Sequence, residues 1–244
     1  MSLLPLIASL LPTDASAHGP ALDHQLQLSL WITLGLAVLA HLLLIVGLVG
    51  RRTQARSSLW AIEYLPLTLL IILFATLGIR AERLWALTRY TGASHEAMQM
   101  EATGLQFAWY FRYTGPDATF GITRPQLASA AEGNPLGIDA HDSHGADDLV
   151  TTELVIPVDR EIDLTLRAQD VIHGFAVPEL RLKQNAVPGE TTHIHFTATK
   201  TGTFAILCTQ LCGLGHYRMS ANLRVLPVDE FQRWLTQREQ AAHP

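Results

Sequence analysis

Residues 208–219 read Cys208-Thr-Gln-Leu-Cys212-Gly-Leu-Gly-His216-Tyr-Arg-Met219. Two thiols, an imidazole and a thioether therefore share one short segment, and His173 stands 35 positions upstream of Cys208. Thiolate and thioether sulfur are soft donors that favour copper, and imidazole suits copper as well. A mononuclear copper site needs one Cys; two Cys four residues apart fit two thiolates bridging two copper ions. Charge shared over two metals and two sulfurs keeps bond-length change on reduction small, which suits one-electron transfer. Two other readings stand beside this one. Paired thiols outside the cytoplasm often form a disulfide, and two His with two Cys can bind zinc. The added Met219 and the absence of paired Cys-x2-Cys or His-x3-His spacings weigh toward copper.

Such a loop needs a rigid frame to hold its ligands, and the flanking sequence supplies one. Glu161–Ala168 alternates, with Ile162, Leu164 and Leu166 on one face and Asp163, Thr165 and Arg167 on the other. Thr151–Pro157, Thr191–Thr199, Thr203–Leu207 and Ala221–Leu226 are further strand segments, and residues 104–113 form an aromatic one. Val187-Pro188-Gly189-Glu190 reads as a turn between two strands, and His173 as part of another turn. Period-2 segments with frequent turns predict an all-β sandwich or barrel. His193 and His195 alternate with Ile194 and Phe196 and are expected on the surface. Residues 114–150 form a Gly/Pro/Asp-rich excursion in which His141 and His144 sit in a solvated acidic loop. From Asp229 a terminal helix is expected, with Phe231, Trp234 and Leu235 on one stripe.

Further toward the N-terminus the chain changes character. Only 16% of its 244 residues are charged, against about 25% in ordinary soluble domains. Leu28–Gly50 is 23 residues without Asp, Glu, Lys or Arg, and Leu59–Ile79 carries only Glu63. At about 1.5 Å per residue each run crosses a hydrocarbon core of about 30 Å. Between them lie Arg51, Arg52 and Arg56 without an acid, so this loop is expected to be cytoplasmic and the rest of the chain outside. His41 and Glu63 are ionisable groups at membrane depth and count as functional candidates. Ser2–Leu11 is apolar and Ala15-Ser16-Ala17 has the small-x-small pattern of a signal-peptidase site, yet no Lys or Arg precedes it. Either a cleaved signal peptide or a retained interfacial segment fits. The expected division is residues 1–24 as signal or N-terminal segment, 25–88 as two membrane helices (28–50 and 59–80), 89–228 as the β domain and 229–244 as the tail. A net charge of −5 without a basic run excludes a nucleic-acid binder.

Together these features resemble subunit II of heme–copper oxidases of the cytochrome c oxidase type. The family's pattern Cys-x-Glu-x-Cys-Gly-x-x-His-x-x-Met occurs here with one change, and Asp170-Val-Ile-His173 and Asn185-Ala-Val-Pro188-Gly189 match its His-bearing stretch. The resemblance implies a two-helix transmembrane hairpin followed by an all-β cupredoxin-like sandwich that holds a dinuclear copper (CuA) centre. Cys208 and Cys212 would bridge both coppers. His173 and Met219 would complete one, His216 and the backbone carbonyl of Gln210 the other. It also implies a bacterial-type inner membrane with the copper domain outside. The implied partners are the heme–copper subunit I, further oxidase subunits, membrane lipid, and cytochrome c as donor.

Three departures stand out. Gln210 replaces the family's Glu, and Asn185 a usual Asp, near a magnesium ion at the subunit I contact; amides are poorer ligands for hard cations than carboxylates, so that magnesium is doubtful. The aromatic segment offers Phe107, Trp109 and Tyr110 for electron arrival, with Phe107 where the family has the Trp that receives the electron. Arg112 replaces an acid of the usual cytochrome c docking face. The expected role is therefore the electron-receiving subunit of a terminal oxidase. A CuA subunit of a nitric oxide reductase and a membrane-tethered copper-delivery protein are the alternatives; quinol oxidases carry a similar subunit without the ligands.

Overall fold

The computed structural model describes residues 11–50 and 60–242, and the side chains of residues 61–63 and 242 are outside that description. The loop arginines, residues 1–10 and the Glu63 side chain therefore lie outside the described residues.

Two long helices come first, α1 (Gly19–Val49) and α2 (Trp60–Arg89), both long and apolar enough to cross a membrane. Each continues past its apolar run on the side of the β domain. The reason lies in the contacts made there. Arg89, in the last turn of α2, donates to Gln184 Oε1 at 2.8 Å and to the Lys183 carbonyl. His195 meets the Leu87 carbonyl at 3.2 Å. His41 is exposed on α1, with Nδ1 2.7 Å from the Ala37 carbonyl.

The rest is a two-sheet sandwich closed by a helix. The strands are β1 (Met98–Leu105), β2 (Ala108–Tyr113), β3 (Leu149–Thr151), β4 (Leu154–Pro157) and β5 (Glu161–Ala168). They continue with β6 (His173–Val177), β7 (Leu182–Ala186), β8 (Thr192–Thr197), β9 (Gly202–Cys208) and β10 (Ser220–Leu226), before helix α3 (Val228–Ala242). One sheet has the order β3-β2-β1-β5-β8, the other β4-β10-β9-β6-β7. Ile162, Leu164 and Leu166 of β5 are fully buried, facing a core that includes Phe111, Phe175, Phe196, Ile206 and Leu223. Phe231 of α3 seals one edge.

Five details differ from the sequence expectation. Thr151–Pro157 is not one strand, because the chain crosses from β3 in one sheet to β4 in the other. Residues 104–113 are the end of one strand and the whole of another, because Gln106 and Phe107 turn the chain between β1 and β2. His173 opens β6 instead of sitting in a turn. His195 is buried, because α2 covers its face of β8, while His193 stays exposed beside Asp163. Arg112 is also buried. Its Nε donates to Asp148 at 3.0 Å and its Nη2 to the Gly121 carbonyl at 2.6 Å, so it pins the 114–148 excursion to β2. It presents no charge to a docking face. Burial works to raise the Asp148 carboxyl above the usual range, against the Gly121 amide and Arg112.

The triplet Ala15-Ser16-Ala17 is part of this fold. Ala15 is fully buried, its amide donates to the Glu179 carbonyl, and Ser16 bridges Ala198 beside β8. Cleavage after Ala17 would strip this edge from the sandwich.

Candidate metal centre

The centre is built where β6 begins and the antiparallel β9 ends, side by side. Phe175 of β6 pairs with Cys208, the last residue of β9, and the Thr209 amide donates to the Gly174 carbonyl. A Cβ on Gly174 would lie 2.4 Å from Thr209 Oγ1, so only glycine lets the ligand loop leave the sheet here. The loop then turns back, and the Cys208 amide donates to the Met219 carbonyl at 3.1 Å. That bond closes residues 208–219 into a ring over the end of the sandwich.

Five side-chain donors and one carbonyl converge. Cys208 Sγ is 3.8 Å from Cys212 Sγ, 4.0 Å from His173 Nδ1 and 3.3 Å from the Gln210 carbonyl. Cys212 Sγ is 3.6 Å from His216 Nδ1 and 3.7 Å from Met219 Sδ. Both thiols are free. His173, Cys212 and Met219 are buried, Cys208 and His216 half-buried. The ligating atoms of His173, Cys208 and Cys212 all lie within 4.8 Å of one another. The set is soft sulfur with imidazole, which matches copper by donor chemistry. Burial, then the Cys208 thiol beside it, push the Cys212 thiol up to about 11. A cation entering the centre must displace that proton.

A second layer orients the first. His173 Nε2 lies 2.8 Å from Asp170 Oδ1, and Asp170 also accepts from the Gln106 and Val171 amides at 2.7 Å each. The bond puts the proton on Nε2 and leaves Nδ1 bare toward Cys208. Burial works to raise the Asp170 carboxyl, but these three donors outweigh it and hold it below the usual range. Gln106 Nε2 donates to the Cys212 carbonyl at 2.5 Å, so the β1–β2 turn grips the ligand loop directly. Phe107 adds a steric grip, since a Cβ on Gly215 would lie 2.4 Å from its ring.

The aromatic candidates separate. Trp109 is buried and meets His173 edge-on, with ring centroids 5.8 Å apart. Phe107 is half-buried against the loop. Tyr110 points to the opposite face of β2 and lines a cleft with Pro135, Thr151 and Trp234. Asn185 is exposed on β7 opposite Gly174, and the Gln210 side chain is exposed as well. No carboxylate occupies either position, so this pair does not fit a hard cation such as magnesium. Asp170 and Gln106 were not among the candidates from sequence. Asp170 carried a signal, an acid three residues before a ligand His; Gln106 carried none, because its contact is long-range.

Residues 98–226 match the family model for the periplasmic domain of cytochrome c oxidase subunit II. The alternative cytochrome c oxidase subunit 2 of Bradyrhizobium diazoefficiens is 30% identical over 234 residues, covering 93% of this chain and 83% of that protein. Cytochrome c oxidase subunit 2 of Thermostichus vulcanus is 36% identical over 143 residues, 59% of this chain and 34% of that protein. Among solved structures, the periplasmic domain of subunit II of cytochrome oxidase from Bradyrhizobium japonicum aligns at 27% identity and a TM-score of 0.44, covering 61% of this chain and 97% of that one. With a family match over more than half its length and a relative similar along nearly all of it, the chain belongs to the cytochrome c oxidase subunit II family.

Proposed function

We propose that this chain is the electron-receiving subunit of a respiratory heme–copper oxidase, taking single electrons from a cytochrome c and handing them to heme in subunit I for oxygen reduction. Membership of the family implies a copper centre and a membrane-anchored subunit of an oxidase complex. The observation that carries the finer reading is the pair of free, facing sulfurs flanked by two imidazoles and a thioether. His173, Cys208, Cys212, His216, Met219 and the Gln210 carbonyl would hold a dinuclear copper centre. When bound, the copper pair supplies reversible one-electron exchange with little change in geometry.

The protein's own part is to keep that geometry fixed. Asp170 holds the His173 ring and its tautomer. Gln106 and Phe107 hold the loop from the side of β1 and β2. Trp109 excludes water behind His173. The Phe107 ring packs on Gly213 and Gly215 of the loop and is the proposed point of electron arrival. The amides at Asn185 and Gln210 favour a contact with subunit I that does without magnesium. The two spans and the cationic loop between them support a domain outside the membrane, and a bacterial-type inner membrane is the proposed setting.

A nitric oxide reductase would use the same copper ligands; the relatives' names favour the oxidase. A copper-delivery role is disfavoured by a centre gripped this closely from three strands. The test uses the purified complex. Removing copper from this subunit should abolish oxidation of cytochrome c while leaving the hemes intact, and restoring copper should restore it. Unchanged turnover would contradict the proposal.

A further inference from the structure

Arg181 follows the short turn Pro178–Leu180 that joins β6 to β7, and its φ is 56°. That left-handed conformation suits glycine and costs a long side chain energy. Such strain persists where the surroundings over-determine the residue, and here they do. The guanidinium fork, Nε and Nη2, donates to the two carboxylate oxygens of Asp23 at 2.8 Å each. Nη2 also donates to the Pro12 carbonyl, and Nη1 to the Pro178 carbonyl, both at 2.8 Å. The side chain is 13% exposed and that of Asp23 20%. One planar cation thus ties the β6–β7 turn both to α1 and to the N-terminal strap, residues 12–17, that leads into it. A lysine could not make this fork.

Its place in the fold gives the contact consequence. Asp23 lies on α1, the first membrane helix, near its outer end. Arg181 lies beyond the end of β6, whose first residue is the ligand His173. A strand of five residues is a stiff rod of about 16 Å at about 3.3 Å per residue. Whatever fixes Arg181 to α1 therefore fixes the centre relative to the membrane. Among the described residues, Arg181–Asp23 is the one ion pair between the helical hairpin and the sandwich. The other ties, Arg89 to Lys183 and Gln184 and His195 to Leu87, end on neutral acceptors.

We propose that Arg181 is a positioning residue: held by Asp23, it sets the copper domain on the first membrane helix and thereby the separation of the copper pair from the electron acceptor in the membrane partner. This rests on the electron-relay reading above. Electron transfer between two held centres slows as their separation grows, so a contact remote from the copper can govern the rate.

The experiment uses the assembled complex with Arg181→Gly, Asp23→Asn and Arg181→Lys. Glycine suits the backbone at 181, so Arg181→Gly removes the pin while relieving strain; Asp23→Asn reads the same contact from the helix side. The copper pair is reduced by a light-triggered one-electron donor, and electron arrival at the heme is followed optically alongside the copper optical and paramagnetic spectra. The expected result is unchanged copper spectra and an internal transfer slowed severalfold in Arg181→Gly and Asp23→Asn, with Arg181→Lys in between. Wild-type internal rates in both disrupting variants, or altered copper spectra in them, would overturn the positioning role. A wild-type complex whose reduced copper pair passes no electron to heme would instead overturn the relay reading beneath it.

Discussion

Asp170 and His173 are joined by a 2.8 Å hydrogen bond that turns the bare Nδ1 of the imidazole toward Cys208. The carboxylate is itself held by two backbone amides, so the ring is fixed before any metal arrives. Replacing Asp170 by Asn keeps the shape and removes the charge. Loss of such an orienting partner typically costs about 10–100-fold in metal affinity. Competition titration of copper into the Asp170→Asn protein should show a loss of that size; wild-type affinity would mean that the loop alone orients the ring.

The contact between Phe107 and Gly215 makes a second prediction. A methyl at 215 would fall 2.4 Å from the ring, and the φ of Gly215 is −93°, a value any residue adopts. The penalty of Gly215→Ala is therefore steric. It should destabilise the protein by about 1–3 kcal/mol, the usual range for overpacking. Phe107→Ala should remove most of that penalty in the double variant, as thermal unfolding would read. An additive pair would show that the two residues do not press on each other.

Copper uptake should depend on pH in a defined direction. The Cys212 thiol is raised to about 11, chiefly by burial, so it carries its proton throughout the neutral range. Binding as thiolate releases that proton, and low pH therefore opposes loading. Apparent affinity should rise with pH across the neutral range, by about tenfold per unit for each proton released. Proton release measured during titration in weak buffer should confirm it. A pH-independent affinity without proton release would show that the sulfurs do not bind as thiolates.

Arg112 is predicted to matter for stability and not for docking. It is buried on Asp148, and removing one partner of a buried pair costs about 3–5 kcal/mol. Arg112→Met should lower the unfolding temperature strongly, and Arg112→Met with Asp148→Asn should recover part of the loss. The KM for cytochrome c should stay at its wild-type value in the double variant. A raised KM with unchanged stability would return Arg112 to the surface.

Much of this molecule was legible because it is local. The period-2 run of β5 placed Ile162, Leu164 and Leu166 inside, and they are fully buried. The convergence of Cys208, Cys212, His216 and Met219 was legible from their spacing, and only His173 had to be brought in from afar. What escaped was long-range. His195 reads as outward-facing on β8, yet α2 folds over it. Arg112 reads as a surface charge until Asp148, 36 residues on, is brought beneath it. The strap through Ala15 and the pin at Arg181 depend on Glu179, Asp23 and Pro12 meeting in space, and no periodicity records that.

The central claim is that Cys208 and Cys212 would together hold two copper ions and are not bonded to each other. Copper quantification on the purified full-length protein, with paramagnetic resonance of its oxidised form, tests this most directly. The account predicts two coppers per chain sharing one unpaired electron. A single copper per chain, or a disulfide between Cys208 and Cys212 in the active complex, would contradict it.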